Sequence, residues 1–159
     1  MILVILVSFL IGFWPIAVHA DEISGFARVI DGDTIVIKGQ RIRLHGIDAP
    51  ERNQKCERAG QLYRCGQFAT LALANKTKER SVKCEQRAVD RYNRIVAVCT
   101  SDNEDLNAWM VIHGHAVAYR RYSLDYVAAE DISRSRKNGI WAGKFIFPWL
   151  WRRGKRLQK

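Results

Sequence analysis

The chain is expected to fold as an α+β domain in which several short, twisted strands close into a small barrel. Three observations lead there. Short segments of alternating apolar and polar residues follow one another quickly after residue 24, with turn residues between them. Apolar positions at helical spacing appear only between and after those segments. The length, 159 residues, suits one domain with its own core, and no internal repeat, low-complexity stretch or linker divides it.

The first twenty residues, MILVILVSFLIGFWPIAVHA, stand apart from that domain. They contain no Lys, Arg, Asp or Glu and end in Val18-His19-Ala20. Small residues at those outer positions fit a signal-peptidase site, so cleavage is expected between Ala20 and Asp21. An uncleaved membrane anchor is the alternative, because roughly 17–25 apolar residues can span a bilayer. Pro15 argues against a buried core helix. The domain proper then covers residues 21–159, with a basic tail from about residue 152, and export would place it in the periplasm or the medium.

Every formal charge lies after the leader: 26 basic against 16 acidic residues, a net +10. That balance suits a polyanionic partner such as nucleic acid or an anionic membrane surface. The four cysteines, Cys56, Cys65, Cys84 and Cys99, are in the same part. An even count behind an export signal reads as two disulfides. Three pairings are possible; chain order favours Cys84 with Cys99 on neighbouring strands and Cys56 with Cys65 across a short loop. Zinc is disfavoured because no C-x-x-C spacing occurs.

Taken in order, residues 25–30 and 34–38 read as strands, with a turn at Gly39-Gln40. RIRLH, residues 41–45, alternates strictly: Ile42 and Leu44 face one way, Arg41, Arg43 and His45 the other. Pro50 ends this strand region, since proline lacks the amide a sheet interior requires. Residues 52–66 are expected to be a polar loop. Residues 66–80 have helical composition, with Phe68, Leu71 and Ala72 at helical spacing. Strands follow at 81–85 and 95–99 around a charged connection. A short helix over 106–113 aligns Leu106, Trp109, Met110 and His113, with Gly114 as its C-cap. A third helix is expected over 126–136, and the aromatic run Trp141, Phe145, Phe147, Trp149 and Trp151 reads mainly as packing.

Polar residues interrupt the apolar pattern at Asp31, Asp33, Arg43, Asp48 and Glu51. Asp33 opens one strand and Asp48 closes the next strand region, so a hairpin brings the two carboxylates together. Close carboxylates repel unless a cation separates them. Hard oxygen donors select Ca²⁺ or Mg²⁺, and a set completed by carbonyls and waters favours the looser Ca²⁺ shell. Glu51, three residues beyond Asp48, is placed to orient or deprotonate a water. Arg43 and Arg94 offer guanidiniums to a phosphate. Taken singly, each acid also fits an ordinary turn and each arginine a solvated surface.

VIDGDT (29–34), RLHGIDAPE (43–51) and DRYNR (90–94) together resemble, in order and spacing, the motifs of the staphylococcal (micrococcal) nuclease family. The similarity runs from about residue 25 to 141 and includes Leu106, Asn107 and residues 114–119. It implies a five-stranded OB-type β-barrel with about three α-helices, and a Ca²⁺-dependent phosphodiesterase that cuts DNA and RNA to leave 3′-phosphate ends. By matching position it implies Asp33, Asp48 and the Ala49 carbonyl as calcium ligands. Glu51 would then be general base, Arg43 and Arg94 the phosphate-binding pair, and Asp31 an acid near the metal. Gly32 would let the backbone turn tightly between the acids. Tyr92 and Tyr119 match positions near the bound nucleotide, and Tyr122 lies close by.

Asn93 departs from the family pattern, standing where glycine is frequent, and it tolerates the positive φ expected there. His113 and His115 fit a helix end better than a metal site, and His45 reads as a neighbour of Arg43. Arg152, Arg153, Lys155 and Arg156 read either as a solvated tail or as added phosphate affinity. A monomer is expected. A non-catalytic OB module would bind nucleic acid without Asp33, Asp48 or Glu51, and a membrane-bound basic protein would leave those acids without a purpose.

Overall fold

The computed structural model describes residues 22–158. The expected leader and its cleavage point lie outside the described residues.

Strands β1 (Glu22–Phe26), β2 (Arg28–Asp31), β3 (Thr34–Ile37) and β4 (Gln40–Leu44) follow one another, and the two-residue β5 (Ile47–Asp48) comes next. After a segment containing β6 (Cys56–Arg58) and β7 (Gln61–Tyr63), helix α1 (Cys65–Thr77) leads to the long hairpin β8 (Ser81–Val89) and β9 (Ile95–Ser101). β10 (Glu104–Asp105), α2 (Leu106–Ile112), β11 (Val117–Ala118), α3 (Val127–Ser135) and α4 (Pro148–Arg152) complete the fold, with a 3₁₀ turn at Gly139–Ala142 before α4.

The main sheet is ordered β1-β8-β9-β4-β3-β2, with β10 added to β9. All its pairings are antiparallel except β4 with β9. β1 and β2 lie at opposite ends of this path, yet only Ala27 separates them in sequence. One bent run of chain therefore serves both edges, and the sheet curls on itself into an OB-type barrel. Counted as backbone runs, β1–β2, β3, β4, β8 and β9 are the five expected strands.

The curled sheet encloses Ile35, Ile37, Ile42, Leu44, Val82 and Ala97, all at most 1% exposed. The alternation in RIRLH is realised, with Ile42 and Leu44 buried between less buried neighbours. At about 1.5–3 kcal/mol for each large aliphatic side chain buried, these residues supply much of the drive for closure. Leu106, Met110 and Val111 of α2 cap the same core. Asp105 accepts a hydrogen bond from the Ala108 amide at 2.9 Å and caps that helix. Its far end stops at Gly114, whose φ of 69° suits the residue after a helix.

α1 buries a different face from the one its spacing suggests. Phe68 and Leu71 are 60% and 51% exposed, while Ala69, Leu73 and Thr77 pack inward. Ala69 lets the helix approach closely, since a Cβ at Gly32 would lie only 2.9 Å from that of Ala69, while Leu73 fills the core beside it. His113 is likewise exposed rather than packed with Leu106 and Met110.

The segment 52–66 is more ordered than a polar loop. β6 and β7 form a hairpin whose turn residues, Ala59 and Gly60, both have positive φ, as a two-residue hairpin connection requires. Cys56–Cys65 closes it, and Cys84–Cys99 joins directly opposed residues of β8 and β9. A second apolar cluster gathers Cys56, Cys65, Val117 and Ile140 with Tyr63, Trp141, Phe145, Phe147 and Trp149. It anchors a fourth helix, α4, where a bare tail was expected to begin; Pro148 at its first turn favours the start. Among the described residues no helix is long and apolar enough to cross a membrane.

Candidate active site

The register of β3 against β4 pairs Thr34 with Arg43 and so sets Arg43 beside Asp33. Asp33, only 4% exposed, is held from three sides. Its Oδ1 accepts hydrogen bonds from Thr34 Oγ1 and Arg43 Nη1, each at 3.0 Å. Its Oδ2 accepts one from the Ala49 amide, also at 3.0 Å. Asp48 is fully buried on β5, which pairs with β11. Arg43 Nη2 donates to Asp48 Oδ1 at 2.8 Å. A single guanidinium thus bridges the two carboxylates that the sequence places together.

The electrostatics follow from that packing. Burial pushes the Asp48 carboxyl up, and the charge of Asp33 adds to the rise, against the lowering by Arg152 and Arg43. Burial opposes the charge on Arg43, but Asp33 and Asp48 outweigh it and raise its pKa. Asp31 accepts the Asp33 amide at 3.0 Å and so holds the turn. Burial and the neighbouring Asp33 push its carboxyl up to about 6. Gly32 does not adopt a left-handed φ. Its need is for space: a Cβ there would lie 2.7 Å from that of Ala49 and 2.9 Å from that of Ala69.

Glu51 follows Pro50 at the rim, its side chain 37% exposed. Gln54 fixes the backbone there, accepting from the Glu51 amide at 3.2 Å and donating its own amide to the Glu51 carbonyl at 2.6 Å. The same Gln54 side chain, wholly buried, donates to the carbonyl of Ile146 at 2.6 Å. It thereby ties the Glu51 segment to the C-terminal region.

That region brings an unexpected member to the site. Arg152, at the end of α4, donates from Nη2 to Asp48 Oδ2 at 2.7 Å and from Nη1 to Asp48 Oδ1 at 3.0 Å. Nη1 also reaches Glu51 Oε1 at 2.7 Å. Arg152 is therefore not part of a solvated tail. Burial opposes its charge, but the hydrogen bonds and charges of Asp48 and Glu51 raise its pKa well above the ordinary arginine value.

Arg94 stands apart from this cluster. Its Nε and Nη2 hold Asp90 Oδ2 at 2.8 and 2.7 Å, and its guanidinium lies 5.5 Å from the Tyr92 ring centre. Although slight burial opposes it, hydrogen bonds from Arg94 and Tyr92 hold Asp90 below the usual carboxylate range. The connecting turn contains Asn93 at φ 58°, as its identity suggests. Arg94 and Arg43 nonetheless line one open groove of about 1180 Å³, together with Asp33, Glu51, Tyr119 and Arg152. Tyr92 and Tyr122 project from it, 65% and 70% exposed. Tyr119 stacks on Trp149, ring centres 5.5 Å apart and planes 7° from parallel. His45 pairs with Asp125 at 2.9 Å. His113 donates from Nδ1 to the Trp109 carbonyl, and its ring packs on that indole.

Among the described residues, no three His, Cys, Asp or Glu side chains are grouped to chelate a metal. The donors at hand are two buried carboxylates whose oxygens already attract cationic groups, with the Ala49 backbone alongside. That chemistry fits a hard divalent ion.

Gln54 is a contributor that sequence patterns did not single out, and Arg152, Trp149 and Asn107 take roles those patterns did not assign them. Asn107 donates to the His45 and Ala97 carbonyls at 2.9 and 3.2 Å and accepts the Cys99 amide at 3.1 Å, tying β4 to β9. A buried amide inside an apolar helix face was the available signal for it. Nothing local marks Arg152 apart from its basic neighbours.

Comparison with known proteins gives one family match, to the staphylococcal nuclease homologue domain over residues 41–143. A succinoglycan biosynthesis protein of Rhizobium meliloti is 40% identical over 126 residues, 77% of this chain and 66% of that protein. An uncharacterized endonuclease of Escherichia coli is 34% identical over 89% of this chain and 92% of its own length. A micrococcal nuclease of Shigella flexneri is 33% identical over 86% and 84%, respectively.

Proposed function

The chain belongs to the staphylococcal nuclease family, and from that premise we propose that it is an exported, monomeric, Ca²⁺-dependent phosphodiesterase cutting DNA and RNA with little sequence preference. The observation that carries this is Arg43 spanning Asp33 and Asp48 at the barrel edge, with Glu51 on the adjoining rim. A simple nucleic-acid-binding groove gains nothing from buried acids, which repel phosphate. The two disulfides support export.

Asp33, Asp48 and the Ala49 carbonyl would hold the calcium ion, with Asp31 shaping the turn behind them. The bound ion would offset the carboxylate charge and polarise a phosphoryl oxygen. Glu51 takes a proton from the attacking water as its oxygen bonds to phosphorus. Arg43 and Arg94 donate hydrogen bonds to the phosphoryl oxygens as charge builds on them. The bond from phosphorus to the 5′-oxygen breaks with its electron pair going to that oxygen, which takes a proton from solvent, leaving a 3′-phosphate and a 5′-hydroxyl. Tyr92 and Tyr119 offer faces for base stacking, which is sequence-tolerant.

The deciding experiment is digestion of end-labelled single-stranded DNA by residues 21–159, with Ca²⁺ or a chelator, mapping the product ends. Ca²⁺-dependent fragments with 3′-phosphates, lost in Glu51→Gln, are expected. Tight binding without cleavage under any divalent ion would leave a non-catalytic OB binding module instead.

A further inference from the structure

Arg152 occupies the place where a cation is needed. It takes both oxygens of Asp48 and one oxygen of Glu51, the one residue a proposed ligand and the other the proposed base. Nearby, Trp149 of the same helix covers one face of Tyr119, a proposed base-stacking surface. One five-residue helix thus lies over the metal, water and nucleotide positions together.

The helix is also tethered. The Gln54 side chain donates to the Ile146 carbonyl. The amides and carbonyls of Glu57 and Lys144 exchange hydrogen bonds at 2.8 and 2.9 Å. Cys56–Cys65 fixes the hairpin that carries Glu57. Tethering makes docking intramolecular, so the guanidinium competes at high effective concentration. Its bidentate fork matches a carboxylate better than an ammonium can.

We infer that α4 is a built-in latch: Arg152 acts as an internal counter-cation on Asp48 and Glu51, and Ca²⁺ must displace it before the site is competent. This rests on the calcium reading of Asp33 and Asp48. The linkage is simple. A ligand that binds only the undocked state is weakened by the fraction of molecules in that state. Removing the guanidinium therefore strengthens Ca²⁺ binding even with no nucleic acid present.

The test is calorimetric titration of the full exported chain with Ca²⁺ alone, comparing wild type with Arg152→Gln, Arg152→Lys and Arg153→Gln. Arg153 carries the same charge one residue away, lines the same groove and forms no ion pair among the described residues, so it reports the general effect of losing a positive charge. Arg152→Gln is expected to tighten Ca²⁺ binding about tenfold or more, with Arg152→Lys between it and wild type. Arg153→Gln is expected to change it by less than about twofold, as a screened surface charge should. Equal effects of Arg152→Gln and Arg153→Gln, or weaker binding in Arg152→Gln, overturn the latch and leave the calcium site intact. No Ca²⁺ binding by any of the four proteins overturns the calcium site and the latch with it.

Discussion

Gly66 lies so close to Glu51 that a Cβ at position 66 would sit 1.7 Å from the Glu51 carbonyl oxygen. The first turn of α1 is therefore the wall against which the Glu51 backbone rests. Gly66→Ala forces the two apart, because backbone cannot yield as a side-chain tip can. Overpacking of this kind costs about 1–3 kcal/mol. The expected outcome is that loss in urea denaturation, with cleavage reduced about a hundredfold by displacement of Glu51, the proposed general base. Wild-type cleavage by a folded Gly66→Ala protein would show that the rim tolerates the shift.

Arg43 separates two buried carboxylates, and its loss leaves them facing each other. Without Ca²⁺, Arg43→Ala should lose about 3 kcal/mol of stability, as expected when one partner of a buried charge cluster is removed. Saturating Ca²⁺ should recover much of it, since an ion that binds only the folded state stabilises that state. Activity should stay low, because the proposed phosphate contact loses its bidentate donor. Denaturation with Ca²⁺ and with chelator reads the difference directly.

The two disulfides should divide in their effects. Each closes a short loop, with sequence separations of 9 and 15, and each is worth about 3 kcal/mol on loop-closure grounds. Cys84 and Cys99 are fully buried in the main core, so replacing both with Ala should lower global stability. Replacing Cys56 and Cys65 should instead loosen the β6–β7 hairpin and the C-terminal segment bonded to it. Hydrogen exchange should then show lost protection at Glu57 and Lys144 with β8 and β9 unchanged.

His115 provides a pH signature in the fold. Burial, helped by the charge of His113, pushes its pKa down to about 4. The unfolded chain takes up this proton near pH 6.5, while the folded protein resists it until about pH 4. Its contribution is thus complete above pH 6.5 and declines as pH falls through that window, by about 3 kcal/mol in all. His115→Gln cannot titrate and should flatten the decline. Urea denaturation of both proteins at about pH 7 and about pH 4 gives the comparison.

Much of the site was legible because its residues break local patterns. Arg43 could be assigned to the polar face of its strand, since the register of a strand follows from alternation. Asp33 and Asp48 could be set near one another because a hairpin joins neighbouring strands. Asn93 announced its turn by tolerating a positive φ. Other features were not local. Phe68 and Leu71 repeat at helical spacing yet face solvent, because α1 turns its Ala69, Leu73 and Thr77 face to the barrel. Gly32 does sit in the expected turn between Asp31 and Thr34, but what requires glycine there is the close contact with Ala49 and Ala69 rather than a left-handed φ.

By itself the sequence determined the barrel, the acid and arginine set, and the family to which they belong. Each is written in short-range periodicity and in motifs of fewer than ten residues. Only the tertiary structure decided that Arg152 rests on Asp48, a residue 104 positions away. Nothing in RRGKR distinguishes one arginine from the next. The choice is made by Pro148, by the aromatic cluster that seats α4 and by the Gln54 bond to Ile146. Burial of the Asp48 carboxylate then makes whichever guanidinium arrives there worth keeping.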